Sequence, residues 1–207
     1  MKPSRGISRA RWGRASTAAL AALAGAACGG TPSTADVPPE QRVPAPRPVA
    51  EVYVLEASGG PPPDTTVEFA AGSARVVVLR HPPPDQTVFA EVAFDSASFG
   101  ESGTVTATLR PRPGIYGIDL ETSQPLRRAT VTFKYAVHFL APADARAAYG
   151  SDITFERQLL VGRLEGGQVV FLPSAHPATD NLRAEIPSAG SYVVSAPRAP
   201  PSPPGSS

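Results

Sequence analysis

From Val131 to Phe139 the chain reads Val-Thr-Phe-Lys-Tyr-Ala-Val-His-Phe, with an apolar or aromatic residue at every odd position and Thr132, Lys134, Ala136 and His138 between them. A period of two held over nine residues is the pattern of a β-strand with one face buried. A helix would spread those five large side chains around its whole circumference. Phe133, Tyr135 and Val137 are therefore expected in a core. A single strand buries nothing by itself, so the neighbouring segments must supply partners.

They have the right composition. Glu51–Leu55, Thr65–Phe69, Ala74–Leu79, Gln86–Asp95, Gly103–Arg110, Ile115–Leu120, Ile153–Val161, Gln168–Leu172, Leu182–Ile186 and Ser191–Val194 all read as strands, separated by turn sequences such as Gly59-Gly-Pro-Pro-Pro-Asp64 and Pro111-Arg-Pro-Gly114. Ala74–Leu79 is apolar enough to be expected at the centre of a sheet, covered on both faces. Val105, Ala107 and Leu109 should point inward and Thr104, Thr106 and Thr108 outward, where hydroxyl pairs across strands each contribute a few tenths of a kcal/mol. The one helical signal is Pro142–Tyr149, with Pro in the first turn, Asp144 near the positive end and Gly150 just past the stop. About ten short strands with one connecting helix and many Pro/Gly turns predict an antiparallel, immunoglobulin-like β-sandwich over residues 50–197.

The segments on either side have a different composition. Residues 1–27 contain Lys2, Arg5, Arg9, Arg11 and Arg14, no acidic residue, and then the apolar run 17–27. Such a run is about half the ~20 residues a membrane span requires and ends in small side chains, which is the form of a signal peptide. Its arginines are not adjacent, so the twin-arginine route is not indicated. Residues 28–49 carry prolines 32, 38, 39, 44, 46 and 48 and read as a disordered tether, on the order of 25 Å as a coil and about 60 Å fully extended. Residues 198–207 read as a disordered Pro-rich tail.

Removing the first 27 residues takes five of 19 basic residues and none of 18 acidic ones, leaving 14 against 18, about −4. The positive footprint of a nucleic-acid binder is absent, and no such partner is expected. The chain has one cysteine, Cys28, directly after the apolar run, so no internal disulfide is available and the domain must rely on its core.

Leu23-Ala-Gly-Ala-Ala-Cys28, followed by Gly29-Gly30, resembles the lipid-attachment box of bacterial lipoproteins, with Gly25 where that family usually has Leu. The resemblance implies lipid attachment at Cys28, a membrane as partner and, with Gly29 rather than Asp after the cysteine, delivery to the outer membrane. Ordinary cleavage after Gly25-Ala26-Ala27 would instead leave a secreted or periplasmic protein with a free thiol. Pro113-Gly-Ile-Tyr-Gly117, the Phe133-Lys-Tyr135 strand, Phe171-Leu-Pro-Ser174 and Gly190-Ser-Tyr192 are similar to the β-sandwich domains shared by ankyrins, netrin receptors and many bacterial envelope proteins. That likeness implies the fold and no functional residues.

No catalytic constellation is apparent: Gly-x-Ser-x-Gly, His-Glu-x-x-His and a phosphate-cradling glycine loop are all missing. His81, His138 and His176 lack paired metal-ligand spacing and read as surface histidines. His81 and Asp85 flank three prolines, which makes that loop a stiff connection or a rigid recognition element. Asp64, Asp85, Asp95, Asp119, Asp152 and Asp180 lie near strand ends without calcium-loop spacing, and turn chemistry accounts for them. Tyr53 and Phe89 fall opposite the main apolar phase of their strands, either as an exposed platform for a sugar or protein or as residues covered by another element. No cofactor is expected. The expected function is that of a non-enzymatic, membrane-tethered envelope protein whose sandwich binds or positions a protein or polysaccharide. The alternative is a hydrolase using loop carboxylates such as Asp95 or Asp119.

Overall fold

The computed structural model describes residues 43–135 and 141–198. Thirteen strands form two antiparallel sheets that pack face to face. The larger sheet joins β1 (Arg47–Pro48), β10 (Gln168–Phe171), β9 (Leu160–Glu165), β13 (Gly190–Pro197), β7 (Gly117–Thr122), β6 (Thr104–Pro111) and β3 (Thr65–Ala70) in that order. Its eighth strand, β2 (Val52–Val54), pairs with the end of β13 beyond β7. The smaller sheet runs β11 (Ser174–Ala178), β12 (Asn181–Ile186), β8 (Ala129–Lys134), β5 (Val88–Phe94) and β4 (Arg75–Arg80). The predicted β-sandwich is the observed fold.

Alternation decides which residues fill the space between the sheets. On β6, Val105, Ala107 and Leu109 are fully buried, and the outward threonines make the expected pairing, with Thr66 and Thr108 hydroxyls 3.0 Å apart across a matched register. On β8, Val131 and Phe133 point into the core, followed by Tyr135 just past the strand. Val137 and His138 lie outside the described residues. An aromatic layer bridges the sheets: Phe89 of β5 stacks on Tyr116 at 5.1 Å and meets Phe133 edge-on at 6.3 Å, while Tyr116 meets Tyr135 at 6.2 Å. Such pairs contribute about 0.5–1.5 kcal/mol each beyond their buried area.

Close packing also explains a glycine. Gly162 of β9 sits where an added Cβ would come 2.8 Å from Ser195 Oγ and nearer still to the Val169 side chain, so only glycine lets β9, β10 and β13 approach this closely.

Several expectations need correction. Ala74–Leu79 is not central: as β4 it is an edge strand, with Val76 55% exposed. Residues 153–156 are helical rather than extended. After α1 (Ala143–Tyr149) stops at Gly150, whose φ of 80° suits glycine, Ser151 accepts the Thr154 N–H and starts α2 (Asp152–Glu156). The helix turns Phe155 inward against Tyr53 and Tyr149, at 5.9 and 5.6 Å, and the strand begins only at Leu160. There are thus two short helices, not one.

The tether ends earlier than residue 49. Val43 packs on a second cluster of Val52, Leu160, Val169 and Phe171, and Arg47–Pro48 pairs with β10. At the other end Arg198 is still anchored: its N–H bonds Glu51 O at 2.9 Å and its guanidinium lies 4.8 Å from the Tyr53 ring centre. The strand β11 was not expected; it contains Pro177, but lies at a sheet edge and carries an irregularity between Ala175 and Ala178, where proline is tolerated.

Candidate functional site

Both aromatics that fell out of phase are covered. Tyr53 is buried where β2 meets α1 and α2, and Phe89 owes its place to a bulge. Leu79 opposes Ala90 and Arg80 opposes Val88, so Phe89 is the extra residue and turns inward beside Ala90. The platform reading of this pair is therefore wrong. His81 is likewise not a surface residue: it is 5% exposed, its ring edge meets Phe89 at 5.4 Å, and Nδ1 lies 3.4 Å from Gly60 O.

The aspartates serve local structure. Asp85 accepts from Thr87 Oγ at 2.9 Å, and Asp64 and Asp152 pair with Arg110 and Arg146. Asp95 caps a turn, accepting the Ala97 N–H at 2.7 Å, and also meets Arg128 at 2.9 Å; the backbone bond first, and Arg128 after it, hold its carboxyl below the usual range. Asp119 accepts from Arg112 and from Ser191 Oγ, at 2.7 and 2.6 Å. Asp95 follows a strand of the smaller sheet and Asp119 lies on one of the larger, each with its own arginine. Among the described residues no group of three or more His, Cys, Asp or Glu is placed to hold a metal ion.

Ionisable groups do converge at a cleft of about 390 Å³ between α2 and β11, lined by Ile153, Glu156, Arg157, His176, Ala178 and Thr179. Burial, with the Asp180 carboxylate nearby, pushes the Glu156 carboxyl up, while the Tyr135 hydroxyl and the Arg157 charge pull it back. Burial lowers the His176 pKa, which favours the neutral ring. Its Nε2–H then donates to Leu159 O at 3.2 Å, leaving Nδ1 as an acceptor. The cleft thus offers a carboxyl, an imidazole acceptor, a hydroxyl and a guanidinium beside the apolar Ile153, a set suited to binding a polar ligand.

Of its lining only His176 was singled out from sequence. Glu156 and Arg157 were hidden inside an apparent strand; the Gly150-Ser151 pair, a helix stop followed by a cap, was the signal that marked the second helix. A smaller hollow of about 100 Å³ lies over the Asp95–Arg128 pair and Glu185. Cys28 lies outside the described residues. No family model, curated protein or solved structure matches the chain.

Proposed function

We propose that the chain is a lipid-anchored protein of the bacterial cell envelope, attached at Cys28 and carrying a β-sandwich that binds or positions a partner without catalysing a reaction. One observation carries this reading: the single cysteine of the sequence falls directly after an apolar run that follows five basic residues. A diacylated cysteine holds a protein stably on a bilayer, since each buried CH₂ contributes about 0.8 kcal/mol and two chains suffice where one is marginal. The ordered domain begins by Val43, so residues 29–42 separate it from the anchor, a reach on the order of 40 Å if extended. That is enough to keep a folded domain clear of the headgroups.

The test is phase partition. The mature protein is expected in the detergent phase and Cys28→Ala in the aqueous phase. A wild-type protein that is already aqueous, with an unmodified Cys28 thiol by mass spectrometry, would replace this reading with a secreted soluble protein.

A further inference from the structure

Four strands stand at the ends of the two strand orders, with the three-residue β2 a further edge beside β13, and three of the four carry features that discourage another strand from adding on. The strand β1 is two residues long and includes Pro48; β11 contains Pro177 and an irregular register; β3 places Glu68 on its exposed side. The fourth, β4, is six residues long, and its one register irregularity, opposite the extra Phe89, falls at its end between Leu79 and Arg80. Its sequence Arg75-Val-Val-Val-Leu-Arg80 holds four consecutive apolar residues, three of them β-branched, and no Gly, Pro or acidic residue. Sequence reasoning expects such a strand in the middle of a sheet, with a neighbour on each side. Among the described residues β4 has one neighbour, β5.

Val77 and Leu79 are buried against the core, whereas Val76 stands 55% exposed on the outer face beside Ala93 of β5. The loop ahead of β3 meets the chain just past the strand's end, where His81 Nδ1 lies 3.4 Å from Gly60 O. The open stretch is therefore Arg75–Leu79, about 17 Å of backbone whose outward N–H and C=O groups have no strand to pair with among the described residues. A local conflict between composition and position is where a functional contact is expected.

We infer that β4 receives an added strand from a protein partner, in an extended segment whose apolar or β-branched centre is flanked by acidic residues. This names the partner class and the docking edge of the binding module proposed above, and rests on that reading. The charges select the partner. Arg75 and Arg80 bracket the strand, both exposed, and among the described residues neither is in an ion pair; Arg80 donates to Gln86 O at 3.2 Å. Glu91, opposite Val78 on the neighbouring strand, is held by Lys134 at 2.8 Å. A second copy pairing antiparallel through β4 would bring Arg75 and Arg80 of both copies into one seam with no acidic residue on either strand, and gathered like charges are destabilising. An incoming strand with carboxylates at those positions turns the same arginines into attraction and fixes its register, while its backbone bonds supply affinity and a β-branched side chain covers Val76.

The experiment uses the purified full chain in detergent micelles and two fluorescein-labelled, capped hexapeptides, Glu-Val-Thr-Val-Thr-Glu and its counterpart with Lys at both ends. Anisotropy should show the acidic peptide binding at least about tenfold more tightly, more weakly at high salt, with hydrogen exchange slowed across Arg75–Leu79. Reversing the charges with Arg75→Glu and Arg80→Glu, two exposed positions that leave the core intact, should invert the preference. Equal binding of both peptides, no binding up to about 1 mM, protection confined to another edge, or concentration-dependent self-association with exchange slowed on β4 would each overturn the proposal. A chain that stays in the detergent phase and ignores both peptides fails here alone; a chain that binds the acidic peptide but is aqueous fails the anchor reading alone.

Discussion

The strands β8 and β4 belong to the same sheet and are built from similar residues, yet they occupy opposite situations. β8 is paired on both sides, to β12 and β5, and its inward Val131 and Phe133 are wholly buried. β4 is paired only to β5, and its apolar residues are divided between a buried pair, Val77 and Leu79, and the exposed Val76. The comparison shows that hydrophobic content tells how well a segment suits a pleated sheet and not how many neighbours it has. Burial on the inner face comes from the other sheet; burial of the edge needs a second strand. Among the described residues β8 has both, and β4 only the first.

The comparison is most exposed to failure at Phe133. Its ring is wholly buried and meets Phe89 of the neighbouring strand edge-on, so Phe133→Ala should cost about 3–5 kcal/mol in urea unfolding. A loss below about 1 kcal/mol would place the strand inside out. Leu79→Ala should cost about 2–5 kcal/mol, because the inner face of β4 is as closed as that of β8. A much smaller effect would mean that β4 as a whole is loosely held, and the distinction between its two faces would collapse.

Much of this was legible in the sequence, for reasons that particular residues make clear. The alternation in Val131–Tyr135 and in Val105–Leu109 fixed the inward face, since a half-buried strand has no other way to segregate its side chains. The two ends of α1 were also readable, the start from Asp144 and the stop from Gly150. What was not legible depended on neighbours. A bulge at Phe89 moves one residue across the sheet without altering composition. A cap at Ser151 overrides the β-branched look of Ile153 and Thr154, and by doing so places Glu156 and Arg157 in the cleft. The edge position of β4 is a fact about topology, which local pattern does not encode.

The buried tyrosines extend the comparison to the interior that both strands face. Burial pushes the Tyr116 and Tyr149 hydroxyls up to about 12, with Asp85 adding to the effect at Tyr116 and Tyr53 at Tyr149. In the unfolded chain they would titrate near 10. Between these values the folded state holds protons that the unfolded state has lost, so their contribution to stability is complete below pH 10 and disappears as pH rises toward about 12. Urea midpoints from pH 8 to 11.5 should therefore fall at the alkaline end. The fall should be smaller in Tyr149→Phe, although that variant begins lower because it loses the 2.7 Å bond to Pro197 O. A flat profile in the wild type would mean the tyrosines are far better solvated than their packing implies.

On the outer face β8 should matter little. Lys134 meets Glu91 at 2.8 Å with both side chains about one-third exposed, and an ion pair of that kind contributes less than about 1 kcal/mol. Lys134→Ala should stay within that limit, several-fold below Phe133→Ala one residue away. Thr132 is already buried on that face, and equal losses at Lys134 and Phe133 would show that the cover extends over Lys134 as well.

The smallest expected effect is also the most discriminating, because it applies one substitution to both strands. Valine and threonine have nearly the same shape and differ by a methyl against a hydroxyl, so the change leaves packing volume alone and asks only whether the site can hydrate a polar group. At Val131, fully buried between the sheets, the hydroxyl loses water, and Val131→Thr should cost about 1–3 kcal/mol. At Val76, 55% exposed, the hydroxyl stays in solvent on a strand that threonine suits as well as valine, and Val76→Thr should fall within about 0.5 kcal/mol of wild type. Should Val76→Thr cost as much as Val131→Thr in the full chain free of any partner, the edge of β4 is already covered, and the strand proposed to dock there has no place to enter.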